Sequence, residues 1–226
     1  MKILIVSATK NEVNPLVEEL YFSVEKSPVL KQYTWNNKII DVLITRIGIC
    51  ATTFWLTKTL RKENYDLVIN AGIAGSYSKN FTIGNVVNVY KDEFSDLGIN
   101  DNGKFKTLFD ENILNKNIFP FTLGKIFNDY AKSDENIFKL PIANSITVNT
   151  VNGEAINIES VRKKFCPDIE SMEGAAFFYV CKTEKVKFFQ IRAISNFVEP
   201  RNKKNWNVAL AIEKLNQELI NSLSLI

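Results

Sequence analysis

The chain has 226 residues, 46% hydrophobic and 23% charged, with 28 basic and 25 acidic side chains for a net charge of +3. That length suffices for one α/β domain with a full core, the composition excludes disorder and fibre, and the balanced charge makes neither nucleic acid nor an anionic membrane an expected partner. Histidine is absent altogether, which rules out a Ser-His-Asp triad, a Cys-His pair, a His-ligated metal and an imidazole proton shuttle.

The segment 2–8 reads as a buried strand, starting directly after Met1 with no small-residue cleavage site, so the chain is expected to be cytoplasmic. Residues 11–20 read as a helix with Val13, Leu16, Val17 and Leu20 on one stripe and Pro15 in its first turns. Strands are predicted at 33–35 and 39–45, joined by the Asn36-Asn37 turn, then a helix at 52–61 and a short buried strand at 66–70. Further strands are predicted at 86–90 and 145–148, helices at 156–165 and 173–183, a strand at 187–194 and an amphipathic closing helix at 206–226. The stretch 92–138 is polar and aperiodic and is expected to be irregular, with one short helix near 125–132. No apolar run approaches the ~18 residues of a membrane span. No composition break marks a boundary, so one domain covering 1–226 is expected. Cys50, Cys166 and Cys181 are odd in number and lack a Cys-x-x-Cys spacing, which argues against a disulfide framework and against a zinc site.

Alternation of strand and helix implies a mostly parallel sheet covered on both faces. Ligands in such folds sit beyond the carboxyl ends of the strands. Three polar clusters occupy those places: Thr9-Lys10-Asn11-Glu12, Ala71-Gly72-Ile73-Ala74-Gly75-Ser76, and Ser195-Asn196. Glu12 is either a first-turn acid favoured by the helix dipole or a general base at a strand end. The two glycines of 71–76 make either a tight turn or a close backbone approach to a ligand, and they fit neither a dinucleotide fingerprint nor a phosphate-binding loop. In Glu170-Ser171-Met172-Glu173-Gly174-Ala175-Ala176 a capping box explains one acid but not both. Gly174 inside a helix costs about 1 kcal/mol relative to Ala, so a close neighbour is expected there. Arg192 stands inside an apolar strand and must face a carboxylate or a polar cavity, either as a structural ion pair or as part of a site.

Glu12 after the Lys-Ile-x-Ile-Val strand, Asn70 to Ser76, Ser171 to Ala176 and Arg192 to Asn196 together resemble the purine nucleoside phosphorylase/nucleosidase superfamily, in its order and over nearly the whole chain. Within it the chain looks most like the small bacterial nucleosidases, and Glu199-Pro200-Arg201-Asn202 adds a likeness to the futalosine hydrolase branch. The resemblance implies a three-layer α/β/α sandwich around a central mixed sheet, a homodimer, a small-molecule nucleoside substrate and cleavage of a ribosyl N-glycosidic bond without metal or organic cofactor. It implies that Glu12 activates the attacking water and that Glu173, beside Met172, binds the ribose hydroxyls. Ser76 and Arg192 are expected near the water's pocket, Val151 and Asn152 along the base, and Asn196 at the purine N7.

Two departures bear on the substrate. The adenine-specific nucleosidases resemble this chain but carry Asp at the position of Asn196. An amide offers N–H donors and no acidic proton, and it matches the N7 and O6 acceptors of a 6-oxopurine, as in futalosine. Arg46 stands where small nucleosidases often carry a small residue, so it is a possible anion contact and keeps phosphorolysis open. Methylthioadenosine/S-adenosylhomocysteine nucleosidase and a non-catalytic nucleoside-binding protein are the other readings.

Overall fold

The computed structural model describes residues 1–133 and 136–226. Strand β1 (Lys2–Ser7) runs through the middle of the molecule, with Ile3, Leu4, Ile5 and Val6 all fully buried. Helix α1 (Lys10–Glu18) follows, then β2 (Tyr21–Ser27), β3 (Leu30–Trp35), β4 (Lys38–Ile44) and α2 (Ile49–Leu60). Next come β5 (Leu67–Ser76), β6 (Val86–Asp92), the small hairpin β7 (Gly98–Asp101) and β8 (Lys104–Thr107), and β9 (Ile126–Phe127). The rest is β10 (Ile142–Thr147), α3 (Ala155–Phe165), β11 (Ile169–Ser171), α4 (Gly174–Thr183), β12 (Phe188–Phe197) and α5 (Val208–Ser224).

The large sheet has the order β11-β10-β6-β12-β5-β1-β4-β3-β2, with β9 added beside β6. Its centre is parallel: β1 pairs with β4 and β5, and β5 with β12. At the far side β11 turns back antiparallel onto β5, closing β5, β12, β6, β10 and β11 into a ring. Helices α1 and α5 cover one face, where Val13 and Leu16 meet Ala211, Leu215, Leu219 and Leu223. Helices α2 and α4 cover the other, where Leu56 and Leu60 join Phe177, Phe178 and Val180. This is the expected three-layer α/β arrangement around a mixed sheet.

Several elements differ from the sequence expectation. Residues 71–76 are neither a turn nor a loop. They continue β5 as strand, and Gly72 and Gly75 carry so little side chain that bulkier neighbours lie across them. Likewise β12 runs on to Phe197, so Ser195 and Asn196 lie within it, Ser195 at an irregularity in its register with β5 and Asn196 just past it. Strand β2 escapes a periodicity reading because its first five residues are all exposed. The predicted helix near 125–132 is strand β9 followed by a single 3₁₀ turn at Asp129–Lys132. The predicted irregular stretch 92–138, part of which lies outside the described residues, also contains the β7–β8 hairpin. Its Asn102-Gly103 loop, with φ of 50° and 79°, has the positive φ values of a two-residue hairpin turn. The closing helix starts at Val208, capped by the Asn207 side chain accepting from Leu210 N–H (3.1 Å), and leaves Trp206 outside it.

Candidate active site

Thr9 is the N-cap of α1, and Glu12 sits three residues on, so the carboxylate folds back onto the cap. Glu12 Oε2 accepts from Thr9 N–H (2.9 Å), Thr9 Oγ1 (2.8 Å) and Ser7 Oγ (3.2 Å). Glu12 Oε1 points the other way and accepts from Ile73 N–H of β5 (3.1 Å). Capping and site readings of Glu12 are therefore both satisfied, one oxygen each. Pro15 cannot donate into the helix. Nearby, buried Asn216 of α5 accepts from Leu16 N–H (3.0 Å) and donates to the Glu12 carbonyl (2.9 Å), tying the turn that carries Glu12 to the closing helix.

The two acids of 170–173 lie on separate elements. Glu170 belongs to β11, whereas Glu173 is the residue before α4. Glu173 Oε1 accepts from Gly48 N–H (3.0 Å), in the loop that leads into α2. Gly48 holds φ at +99° there, a conformation glycine adopts without strain. Glu173 is 8% exposed, and its pKa is raised by burial and by the Glu12 charge, against the pull of Arg192 and two backbone N–H groups. Glu170 is 5% exposed; burial pushes its carboxyl up to about 7, although the Tyr77 hydroxyl donates to it at 3.0 Å. Gly174 starts α4 with no room to spare: a Cβ there would sit 2.1 Å from Asp92 Oδ2 and 2.6 Å from Gln190 Nε2.

Arg192 is 1% exposed within β12. Its guanidinium donates to the Asn70 side-chain oxygen and to the Ile191 carbonyl (3.3 Å), and Nε has no hydrogen-bond partner. Burial lowers its pKa, while Glu173, Glu12 and Asp92 hold it up. Gly72 separates it from Glu12: a Cβ on Gly72 would lie 2.9 Å from Glu12 Oε1 and 3.2 Å from Arg192 Nη1. One carboxylate and one cation thus meet across a single missing side chain. Asp92, fully buried and held by Thr147 Oγ1 (2.8 Å) and Gln190 Nε2 (3.0 Å), forms the next layer, and burial raises it to about 6.

A cavity of about 410 Å³ opens over these groups. Its wall includes Glu12, Ile73, Val151, Glu170, Met172, Glu173, Asn196 and Trp206. The volume lies in the range of ligand sites, ~300–1,000 Å³. Asn196 accepts from Ser195 Oγ (2.8 Å), which fixes its amide with the N–H₂ group free to donate, one hydrogen going to the Phe197 carbonyl (3.0 Å). Arg192 lies beneath the floor rather than on the wall. Ser76 stands apart, with Oγ donating to the Ser78 carbonyl (2.8 Å); Ile73 is the β5 residue that reaches Glu12. Asn152 lines a separate pocket with Asp96 and Phe105. Arg46 is exposed in the loop before α2, at φ +70°. Among the described residues no group of three or more Cys, Asp or Glu could hold a metal ion, and no helix is long and apolar enough to cross a membrane.

Four contributors lie beyond the sequence reading: the Ile73 and Gly48 N–H groups, Asn216 and Asp92. The first three have no local signature, because backbone donors and a residue two hundred positions away are set by tertiary contact. Asp92 fell in the aperiodic stretch, although its place at the end of a predicted strand was a usable signal.

Comparison with known proteins places this geometry. The family model described as the Phosphorylase superfamily matches residues 2–226. The chain is 24% identical over 204 residues to the 5'-methylthioadenosine/S-adenosylhomocysteine nucleosidase of Buchnera aphidicola subsp. Schizaphis graminum, covering 87% of this chain and 84% of the relative. It is 27% identical over 177 residues to the futalosine hydrolase of Thermus thermophilus, covering 76% of each. The native structure of futalosine hydrolase of Helicobacter pylori strain 26695 superposes with a TM-score of 0.81 at 18% identity, over 100% of this chain and 98% of that one. With a match running the length of the chain and the same fold in its structural neighbours, the chain belongs to the Phosphorylase superfamily.

Proposed function

We propose that the chain hydrolyses the N-glycosidic bond of a 6-oxopurine nucleoside, with futalosine as the substrate, releasing hypoxanthine and dehypoxanthine futalosine for menaquinone biosynthesis. At the coarser level the chain is an enzyme, a nucleosidase. The observation that carries this reading is the meeting of Glu12 and Glu173, far apart in the sequence, at one cavity above buried Arg192. Loss of a purine from ribose leaves positive charge on the sugar. Two carboxylates held in a site with little water stabilise that charge without reorganising. Glu12, anchored through Oε2, takes the proton of the attacking water on its other oxygen. Glu173, fixed by Gly48 N–H, accepts from the ribose hydroxyls. The buried Arg192 charge pulls against the burial that raises Glu173.

Asn196 supports the 6-oxopurine choice. Its amide donates to acceptors and holds no proton to give, which suits an N7/O6 edge better than an adenine edge. Methylthioadenosine is the second reading, favoured by nucleosidase relatives such as the one from Buchnera. Arg46, exposed beside the wall residue Ile47, is read as the contact for an anion on the 5′ substituent rather than for a phosphate. The test is product analysis with futalosine, inosine and methylthioadenosine, with and without phosphate. Hypoxanthine from futalosine at a rate independent of phosphate is expected. Adenine release alone would select the second reading, and ribose 1-phosphate formed only with phosphate would make the enzyme a phosphorylase.

A further inference from the structure

Among the described residues Glu170 is the one acid on the cavity wall that the reaction above leaves unused, and its place follows from strand register. Gly75 of β5 pairs with Glu170 of β11 on one side and with Asn196 of β12 on the other. Cross-strand neighbours present their side chains on one face. With no side chain on Gly75, both lean over it: a Cβ there would lie 3.3 Å from Asn196 Nδ2 and 3.5 Å from Glu170 Cγ. The residue expected at the purine N7 therefore has a carboxyl as its immediate neighbour on the same wall.

We propose that Glu170 is the general acid of this site, supplying to the departing base the proton that the Asn196 amide lacks. This rests on the hydrolytic reading above. The surroundings fit an acid rather than a structural ion. Tyr77, one residue past β5, donates to Glu170 Oε2 and so leaves the acidic proton on the other oxygen. Burial beside Glu170 pushes the Tyr77 phenol up, so it stays a donor at any ordinary pH. Arg162 of α3 lies across the Tyr77 ring, 5.8 Å from its centroid, and Glu12 and Glu173 complete the charged groups around the cavity. Among the described residues no lysine or arginine offsets the Glu170 charge. Its pKa is set by burial, with Tyr77 opposing, and at about 7 it keeps a protonated fraction at neutral pH.

The balance closes. The bond from C1′ to the base nitrogen breaks, and its electron pair goes onto the base. The Glu170 O–H bond breaks and its proton goes to a ring nitrogen of the base. Water forms the new C1′–O bond and gives its proton to Glu12. Solvent then returns a proton from Glu12 to Glu170, so the net reaction consumes one water.

The test sets two leaving groups against one variant. A purine departs well only when protonated, whereas p-nitrophenolate, from p-nitrophenyl β-D-ribofuranoside, departs as the anion. In Glu170→Gln, kcat for futalosine (or methylthioadenosine, if product analysis selects it) should fall on the order of 100-fold or more with KM little changed, and p-nitrophenyl riboside should lose less than about fivefold. Equal losses on both substrates would make Glu170 a structural carboxyl, and no loss on the purine nucleoside would make it a bystander; either result overturns the proposal. The pH profile gives a second reading that does not depend on the variant's yield. Wild-type kcat on the purine nucleoside should decline as pH rises through about 7. Tyr77→Phe, which removes a contact that lowers this pKa, should move the decline to higher pH; a profile flat across that range overturns the assignment. Glu12→Gln separates the two levels. It should lower cleavage of both substrates on the order of 1,000-fold, whereas a wild-type protein that releases no base from any nucleoside removes the hydrolytic reading itself.

Discussion

The carboxylate cluster beside β4 and the acids of the cavity are handled in opposite ways. At β4, Asp41 is fully buried and accepts from Lys26 Nζ (2.8 Å), Gln32 Nε2 (2.9 Å) and Tyr65 Oη (2.7 Å). Lys26 also bridges to Glu63 (2.7 Å), which Lys2 meets from the other side. Burial works against the charged forms here too, but the hydrogen bonds outweigh it: Lys26 is held above its ordinary range and Glu63 below. At the cavity, burial wins. Glu173 and Glu170 are raised and Arg192 is lowered, and the acids meet backbone N–H or hydroxyl groups rather than a contacting cation. A closed cluster of charges is structure. Charges kept near one another without direct pairing remain available to a substrate that develops a charge of its own.

The sharpest way to break this contrast is Glu12→Gln, which should lower kcat on the order of 1,000-fold while leaving ligand affinity within a few-fold, measured by single-turnover kinetics and calorimetry. The matching change at the other cluster, Lys26→Met, should leave kcat alone and lower stability by about 2 kcal/mol in urea titration, because Asp41 stays buried with one donor fewer. A loss of activity equal to the loss of folded protein would erase the distinction.

Two glycines sharpen it further. Gly174→Ala drives a methyl into Asp92 and Gln190, both buried, and should destabilise the fold by about 3 kcal/mol. Gly72→Ala meets only the ends of Glu12 and Arg192. Its effect should fall on kcat, by roughly 10- to 100-fold, with a stability loss near 1 kcal/mol. The reverse pattern in melting curves and rates would mean that Gly72 is a packing residue.

Asn196→Asp places a carboxyl where the amide now donates and should move the ratio of adenine to hypoxanthine nucleoside turnover by about tenfold toward adenine. An unchanged ratio with both substrates at saturation removes Asn196 from specificity.

The smallest effect is on pH-dependent stability. Glu170 and Asp92 have folded-state pKa values, about 7 and about 6, above those of the unfolded chain, so the folded form binds more protons between. Their contribution is fully present below the ordinary carboxylate range and is lost as pH rises to about 7. The melting temperature should decline over that window, and Glu170→Gln should flatten part of the decline.

The linear order of residues was enough to determine the α/β class, the central strands and the absence of imidazole chemistry, and it singled out Glu12 and Glu173, which the fold brings to one cavity. Apolar runs and residue types are local properties, and they survive folding unchanged. Arg192 was legible as a polar residue needing acidic company for the same reason, since an apolar strand cannot hold a bare charge. Only the tertiary structure decided that residues 71–76 are strand, that Ser76 and Asn152 face away while Ile73 faces in, and that Asn216 ties down the turn bearing Glu12. It alone brought Glu170 and Asn196 to either side of Gly75. Strand register decides the facing of Ser76, Ile73, Glu170 and Asn196, whereas Asn152 lies in the loop before α3 and Asn216 on α5. A shift of one residue reverses which face a side chain occupies, and register is set by pairing between segments about a hundred residues apart, which no local pattern encodes.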